Sequence, residues 1–417
     1  MSKRLKILVG LWGLLWLGIG GIAGLVYLAT AAMDPGYWDR SLWLALLLLA
    51  GLAGGGAVAY SALRSLFGRR IGPVWLPPPW ALAGGFVLAL AAGLGLWQAS
   101  ISIAFLMPLF VAAAAALGPL AVASWILRSG GKEVKAVTAP RGLAALGLGA
   151  TASTLAALVL NTLLGGAALL LVTGVSDQVL DLVGDLVDAL AGGLGKELAS
   201  PVFLLGLVEA VVLAPLVEEM VKPLPLLPLL KRLPTARDAL LLGVLAGAGF
   251  AAVENLLYAV GFGDAWSSVL VTRLLGSALH PFGAGLMAVA WWHVRRGEPG
   301  AAARWGRYYG LAVGAHALWN GTCAVAAVVA SEWYRGWEVD LLGVAEGAVL
   351  LALLAVEGIG LLAALRVIVR RFQPADEAGE EATLLPSLPT ERTIAVWGVI
   401  CLVVLLPVGL GVLRTLW

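Results

Sequence analysis

The sequence predicts an all-α protein, a polytopic transmembrane helical bundle of about eleven helices. Hydrophobic residues make up 61% of the 417 residues and charged residues only 12%, which is too little charge to cover a soluble surface. Apolar runs long enough to cross about 30 Å of hydrocarbon recur along the whole chain. The net charge of +2 is small and spread over short loops, so nucleic acid is not an expected partner. Membrane lipids are the expected surroundings of the chain and its first partners.

The predicted spans follow one another with short connections. They lie near residues 7–29, 42–63, 80–99, 103–127, 142–174, 202–230, 239–260, 269–292, 309–330, 341–365 and 393–413. The first run follows a basic segment, as in a secretory signal. It is longer than the usual signal core of about 7–15 residues, so we expect it to remain as the first helix.

Basic residues predict the orientation of the bundle. They cluster in alternate connections, at Lys3, Arg4 and Lys6; Arg64, Arg69 and Arg70; Arg128, Lys132, Lys135 and Arg141; Lys231, Arg232 and Arg237; Arg295, Arg296, Arg304 and Arg307; and Arg366, Arg370 and Arg371. Cytoplasmic loops carry the excess of lysine and arginine in membrane proteins. We therefore expect a cytoplasmic N-terminus and an extracytoplasmic C-terminus.

Four spans carry polar residues that lipid should exclude. They are Glu218, Glu219 and Lys222 in the sixth span, Glu254 and Asn255 in the seventh, His280 in the eighth, and His316 and Asn320 in the ninth. A charged group at the centre of a transmembrane helix costs about 2.5–3.5 kcal/mol on insertion scales. At about 1.5 Å per residue, these groups share a depth of roughly 10–22 Å from the predicted cytoplasmic ends. We therefore expect one polar site inside the membrane.

Helical spacing places small residues beside that site. Gly243 and Gly247 fall on the same face of the seventh span as Glu254, and small residues at this spacing let a neighbouring backbone approach closely. The ninth span repeats the pattern with Gly306 and Gly310, followed by Gly314. The sequence thus predicts close helix packing at both places.

These residues carry a family resemblance. The run from Ala214 to Lys222, APLVEEMVK, resembles the E-E-x-x-K signature of the PrsW family of bacterial intramembrane proteases. The run from Gly249 to Asn255, GFAAVEN, is similar to its second motif, His280-Pro281 to its third, and His316 to Asn320, HALWN, to its fourth. All four occur in order within residues 200–325. The resemblance implies an intramembrane endopeptidase that cleaves a membrane-tethered protein, such as a single-span anti-sigma factor.

The resemblance extends to a wider superfamily of CAAX-processing and bacteriocin-immunity membrane proteases. Those relatives have histidine where this chain has Glu254, so His280 is a candidate replacement for the missing imidazole. The superfamily resemblance also implies that His316 and Asn320 donate to the oxyanion. The predicted catalytic set is Glu218, Glu219, Lys222, Glu254, Asn255, His280, His316 and Asn320.

Two mechanisms fit these residue types. In one, Glu218 or Glu219 activates a water molecule without a metal. In the other, Glu254, His280 and His316 provide a carboxylate and two imidazoles, a set compatible with Zn²⁺, and the glutamate pair supplies the base. The ligands would come from three helices, without the H-E-x-x-H spacing that identifies zinc sites in sequence. The sequence leaves both open.

A second function also fits the composition. Intramembrane glutamates and histidines form proton relays in secondary transporters, so a proton-coupled carrier is the alternative to a protease. The polar residues cluster in one block of four spans and the chain has no obvious inverted repeat, which favours the protease.

The sequence divides into three regions. Residues 1–141 hold N-terminal helices of unassigned role, residues 142–330 the catalytic core, and residues 331–417 the C-terminal helices. Within the core, residues 177–191 are expected to form an amphipathic helix on the outer surface. Residues 373–392 are expected to form a flexible cytoplasmic loop.

Overall fold

The computed structural model describes most of the chain. The described residues are 3–33, 38–67, 72–99, 104–129, 137–173, 206–230, 232–334 and 341–372. They form helices and no strands, so the all-α prediction is confirmed. Three predicted features lie outside the described residues: the amphipathic helix at 177–191, the loop at 373–392 and the span at 393–413.

The helices follow the predicted spans in order. In the first half of the chain they are α1 Lys3–Met33, α2 Trp38–Leu48, α3 Gly56–Leu66, α4 Pro79–Ala99, α5 Met107–Ser129, α6 Ala139–Leu148 and α7 Thr154–Thr173. In the second half they are α8 Ala214–Val221, α9 Leu227–Leu230, α10 Ala236–Gly261, α11 Trp266–Leu275, α12 Leu279–Arg296, α13 Ala301–Tyr334 and α14 Leu341–Arg371. Short π-helical turns at Leu49–Gly55, Gly149–Ser153 and Glu209–Leu213 join α2 to α3, join α6 to α7 and lead into α8. The predicted count of about eleven helices agrees with this arrangement.

Seven helical stretches in the described part of the chain are long and apolar enough to cross a membrane. Helices α11 and α12 are bent by 44° at a short break, and counting them as one span gives eight. The direction in which the bundle crosses the membrane stays a prediction from the basic residues.

Helix α10 is the centre of the bundle. In its most apolar stretch 94% of the residues are buried, against 17% in α1. The helix starts after Thr235, whose hydroxyl accepts a hydrogen bond from the backbone N–H of Asp238, while the Asp238 carboxylate accepts one from the backbone N–H of Thr235. This capping box satisfies two backbone donors at the helix start. From there the helix carries Glu254 and Asn255 into the interior.

Two glycines let α10 and α12 approach at backbone distance. A Cβ atom at Gly247 would lie 2.6 Å from the carbonyl carbon of His280 and 2.7 Å from the nitrogen of Pro281. A Cβ at Gly243 would lie 2.8 Å from Cα of Gly285. Only glycine leaves room for such contacts, so the close packing expected from this spacing is confirmed.

The second glycine series behaves differently. No described atom lies within 4 Å of a Cβ built at Gly306, Gly310 or Gly314 on α13. These glycines share an exposed face with Leu311 and Leu318, while the buried face of α13 carries His316. Within the described residues the expectation of close packing is therefore wrong for α13.

The contrast between the two glycine series predicts opposite effects of alanine. We expect Gly247→Ala to destabilise the protein by about 1–3 kcal/mol, the usual cost of overpacking, because the new methyl group meets the His280 backbone. The matched control is Gly310→Ala, which we expect to be neutral or to stabilise by up to about 1 kcal/mol, because alanine favours helix over glycine. Thermal unfolding in detergent measures both. Equal midpoints for the two variants would contradict the packing described above.

Candidate active site

A buried cluster of charged and imidazole side chains lies where α8, α10, α12 and α13 meet. Its members are Glu218 and Glu219 of α8, Lys222 directly after it, Glu254 of α10, His280 of α12 and His316 of α13, and each is at most 7% exposed. The residues singled out at a common depth in the sequence are therefore close together in space.

The backbone around α8 is irregular on both sides. A π-helical turn precedes the helix, and the chain turns again after Lys222, where Pro223 follows. Backbone carbonyls here accept hydrogen bonds from side chains: Leu216 from the Tyr309 hydroxyl at 2.8 Å, and Lys222 from the Ser153 hydroxyl at 2.9 Å. Such bonds hold the glutamate-bearing segment in place, because a carbonyl freed from a helix inside a membrane needs a new partner.

Asn320 takes part in the same support. Its amide nitrogen donates to the carbonyl of Ala210, in the π-helical turn, at 2.7 Å. The oxyanion-binding role that the superfamily resemblance implies for Asn320 stays a prediction. In the structure its amide group is committed to the backbone that leads into α8.

One half of the cluster centres on Glu219. Lys222 Nζ lies 2.6 Å from Glu219 Oε1 and 3.5 Å from Glu218 Oε2, and it packs over the Phe250 ring at 4.8 Å. His316 Nδ1 lies 2.8 Å from the same Glu219 Oε1. Lys222 thus pairs with both glutamates and lies closer to Glu219. A buried carboxylate with two such partners has a fixed position and a compensated charge.

The other half centres on Glu254. Arg273 of α11 pairs with Glu254 and donates to Asn255 Oδ1 at 2.6 Å. His280 Nε2 lies 2.6 Å from Glu254 Oε2 and 2.9 Å from Arg273 Nη2. Asn255 in turn donates to the Ala115 carbonyl of α5 at 3.0 Å. Glu254 therefore belongs to a closed network that orients His280.

The break between α11 and α12 makes that network possible. Arg273 and His280 are seven residues apart, yet their side chains are in contact because the chain bends between residues 275 and 279. Gly276 occupies the bend, where a Cβ atom would meet the indole ring of Trp319. The absence of a side chain at this position lets α13 and the bend pack together.

Three members of the cluster offer ligand atoms to one point. One ligand atom each of Glu218, His280 and His316 can be chosen so that all lie within 4.8 Å of one another. Among the described residues, Glu218 Oε2 and His280 Nδ1 are buried without a hydrogen-bond partner. One nitrogen of each imidazole is bound by a carboxylate: His316 Nδ1 by Glu219, and His280 Nε2 by Glu254. This is the usual arrangement of metal-binding histidines, so the residues fit a metal ion.

The group of ligand residues found in the structure differs from the predicted ligand set in its carboxylate. For a metal-dependent site the sequence predicts Glu254 with the two histidines, whereas the structure groups Glu218 with them. Glu254 is instead held by Arg273 and by His280 Nε2, so its carboxylate orients His280.

Asn161 of α7 contacts the cluster, although the sequence alone did not single it out as a site residue. Its amide nitrogen donates to Glu218 Oε1 at 3.4 Å, and its buried Oδ1 has no hydrogen-bond partner among the described residues. The available signal was a carboxamide within the apolar run from Leu155 to Leu164. Neighbouring hydroxyls in such a run bond to their own helix, as Thr162 does to Leu158, but an asparagine side chain inside a membrane usually faces protein.

We expect Asn161→Leu to reduce activity by about 10- to 100-fold, the usual effect of removing a group that orients a metal-binding or catalytic side chain. The loss follows because Glu218 Oε1 would have no donor from α7. Thr162→Val, on the exposed side of the same helix, is the matched control. Cleavage rates at saturating substrate measure the effect, and an unchanged rate for Asn161→Leu would show that the contact has no role.

A comparison with protein families matches the part of the chain that contains this cluster. A family model described as PrsW family intramembrane metalloprotease matches residues 141–354, just over half of the chain. No match is found among curated proteins or among solved structures. The matched region begins in α6, ends in α14 and contains every residue of the cluster.

The match separates the two functions that the composition allows. A proton-coupled carrier would also bury glutamates and histidines, but the family is one of proteases. The apolar helices agree with a protein that crosses the membrane several times. This chain therefore belongs to the PrsW family of intramembrane metalloproteases and is a multi-pass membrane protease.

Proposed function

We propose that this protease holds a metal ion between Glu218, His280 and His316 and hydrolyses a peptide bond in or near the membrane-spanning region of a single-span protein. The observation that carries the proposal is the buried set of three ligand groups, two of which have unpartnered atoms among the described residues. An anti-sigma factor is the substrate that the sequence resemblance implies. The basic residues support a cytoplasmic N-terminus and an extracytoplasmic C-terminus.

The donor set favours zinc. One carboxylate and two imidazoles are the protein ligands of a common class of catalytic zinc sites, which keep a further position open. When bound, such an ion supplies Lewis acidity, which polarises a carbonyl group and promotes loss of a proton from water. Within the described part of the chain, the group of candidate ligands contains no cysteine.

Glu219 is the general base in this proposal. Its Oε1 is held by Lys222 and His316, while its Oε2 has no hydrogen-bond partner among the described residues. A Cβ atom at position 283 would contact Oε2, so Gly283 of α12 keeps the space beside it open. Oε2 accepts a proton from water as the water oxygen attacks the peptide carbonyl, and it then delivers that proton to the leaving amine.

Lys222 and Glu254 act through their neighbours. Lys222 Nζ binds Glu219 Oε1 and so positions the carboxylate with Oε2 beside Gly283. Glu254 fixes the orientation of His280 by accepting a hydrogen bond from its Nε2–H, which leaves the lone pair of Nδ1 for a metal ion, and Arg273 holds Glu254 in place. A metal-free mechanism would use the same glutamate pair, with Glu219 as base, but would leave the unpartnered His280 Nδ1 unexplained.

Metal analysis of histidine variants tests the proposal. We expect the purified protein to contain about one zinc ion per chain, as catalytic zinc sites do, and to lose cleavage activity when a chelator removes it. His280→Ala and His316→Ala should lack the metal. The chain offers its own control in its third histidine, His293, which lies at the end of α12 and pairs with Glu298 at 2.6 Å. His293→Ala should retain both metal and activity.

Two results would oppose the proposal. Full activity in protein shown by elemental analysis to contain no metal would establish the metal-free mechanism. Equal metal content in His280→Ala, His316→Ala and His293→Ala would place the metal elsewhere.

A further inference from the structure

One buried guanidinium outside the active site has two nitrogen atoms without a hydrogen-bond partner among the described residues. Arg366 lies near the end of α14 and is 8% exposed. Within the described part of the chain, its Nε and Nη1 atoms are buried and make no hydrogen bond. Its guanidinium carbon lies 5.8 Å from the centre of the Trp125 ring of α5. Arg366 therefore extends from α14 toward Trp125 of α5, with two of its donor nitrogens unpaired within the described part of the chain.

The surroundings add positive charge. Arg370 follows one helical turn later and is exposed, and Arg371 is exposed beside it. Like charges one turn apart on a helix repel. Arg128, at the end of α5, donates to the Leu76 carbonyl at 2.9 Å and adds a further cation to the end of the helix that carries Trp125.

The carboxylates described at this end of the bundle are already bonded. Asp238 caps α10 through Thr235. Glu298 contacts His293 at 2.6 Å and Arg304 at 3.3 Å. No described carboxylate pairs with Arg366, and an uncompensated buried charge is strongly unfavourable. The Arg366 guanidinium therefore needs an anionic partner that does not come from the described residues.

We propose that the Arg366 guanidinium, beside Trp125 where α5 and α14 meet, binds a phosphate group as its principal donor. Guanidinium groups are the preferred protein donors to phosphate, and they are more weakly hydrated than ammonium groups, which suits a partly buried site. Basic pockets between transmembrane helices near a basic membrane surface bind phospholipid head groups. The phosphate can come from an anionic lipid or from free phosphate, and the site is independent of the proteolytic mechanism.

Native mass spectrometry of the full-length protein in detergent tests the site. The probes are phosphatidylglycerol and, separately, inorganic phosphate. We expect Arg366→Gln to bind the effective probe about 10- to 100-fold more weakly, the usual effect of losing one hydrogen bond to a charged group. Arg366→Lys keeps the charge and should retain part of the binding. Arg371→Gln removes an exposed arginine five residues away and serves as the matched control.

Each outcome has a defined meaning. Phosphatidylglycerol retention that falls in Arg366→Gln and persists in Arg371→Gln supports a lipid head-group site. The same pattern with inorganic phosphate supports a site for the free anion. Binding that is absent in the wild-type protein, or that falls equally in both glutamine variants, overturns the proposal. The thermal unfolding midpoint of each variant, measured in parallel, identifies any loss that comes from misfolding.

Discussion

Glu218→Gln is expected to abolish proteolysis and metal binding together, whereas Glu219→Gln abolishes proteolysis but still binds metal when it is supplied in excess. Glu218 offers a ligand atom to the cluster with His280 and His316, and an amide is a much poorer ligand than a carboxylate. Glu219 offers the proton-accepting oxygen, whose removal should lower the rate by about 10²- to 10⁴-fold. Cleavage of a single-span reporter protein in liposomes, with zinc content measured on the same samples, separates the two roles.

The control for this pair is another intramembrane glutamate. Glu357 of α14 accepts a hydrogen bond from Thr322 at 2.7 Å and does not belong to the group of ligand residues. Glu357→Gln should keep both activity and metal. If Glu218→Gln retained its zinc while Glu219→Gln lost it even at excess metal, the two roles would have to be exchanged.

Arg273→Met is expected to destabilise the protein by about 3–5 kcal/mol, the usual cost of removing one partner of a buried ion pair. Arg273 pairs with Glu254, donates to Asn255 and lies 4.7 Å from the Tyr258 ring, so its loss leaves a buried carboxylate with His280 as its remaining close partner. Denaturant or thermal unfolding in detergent measures the change. Activity should fall as well, because His280 loses a group that orients it.

A double variant tests whether the unpaired charge of Glu254 causes the loss of stability in Arg273→Met. Adding Glu254→Gln to Arg273→Met removes the unpaired carboxylate, so we expect it to restore much of the stability without restoring activity. Arg304→Met is the surface control, because the half-buried Arg304–Glu298 pair should contribute less than about 1 kcal/mol. A double variant no more stable than Arg273→Met would assign the loss to packing.

The fold was largely predictable from the sequence. Membrane spans follow from length and apolar content, because every backbone group in lipid must bond within its own helix. The predicted runs near 80–99 and 239–260 correspond to α4 and α10 within a few residues. The break between α11 and α12 was not foreseen, because its sequence, Gly276-Ser277-Ala278, reads as part of one apolar run.

The candidate site was only partly predictable. Glu218, Glu219 and His316 stand out because lipid excludes charged and imidazole groups, and the structure brings all three together. Asn161 did not stand out, because a single amide in an apolar helix is ambiguous until its neighbour is known. For a metal-dependent site the sequence predicts Glu254 as the carboxylate ligand, whereas the structure groups Glu218 with the histidines. Spacing along one helix does not reveal which residues have a partner on another helix.

The sequence by itself determined that this chain is a helical membrane protein with a polar site inside the membrane, because both conclusions depend on residue type and position along one helix. The tertiary structure decided how the polar groups divide into partners. Helix α10 approaches α12 at Gly247, the bend after α11 turns Arg273 onto Glu254, and the irregular backbone around α8 places Glu218 beside His280 and His316. These contacts depend on distances between helices, which cannot be read from the order of residues in the chain.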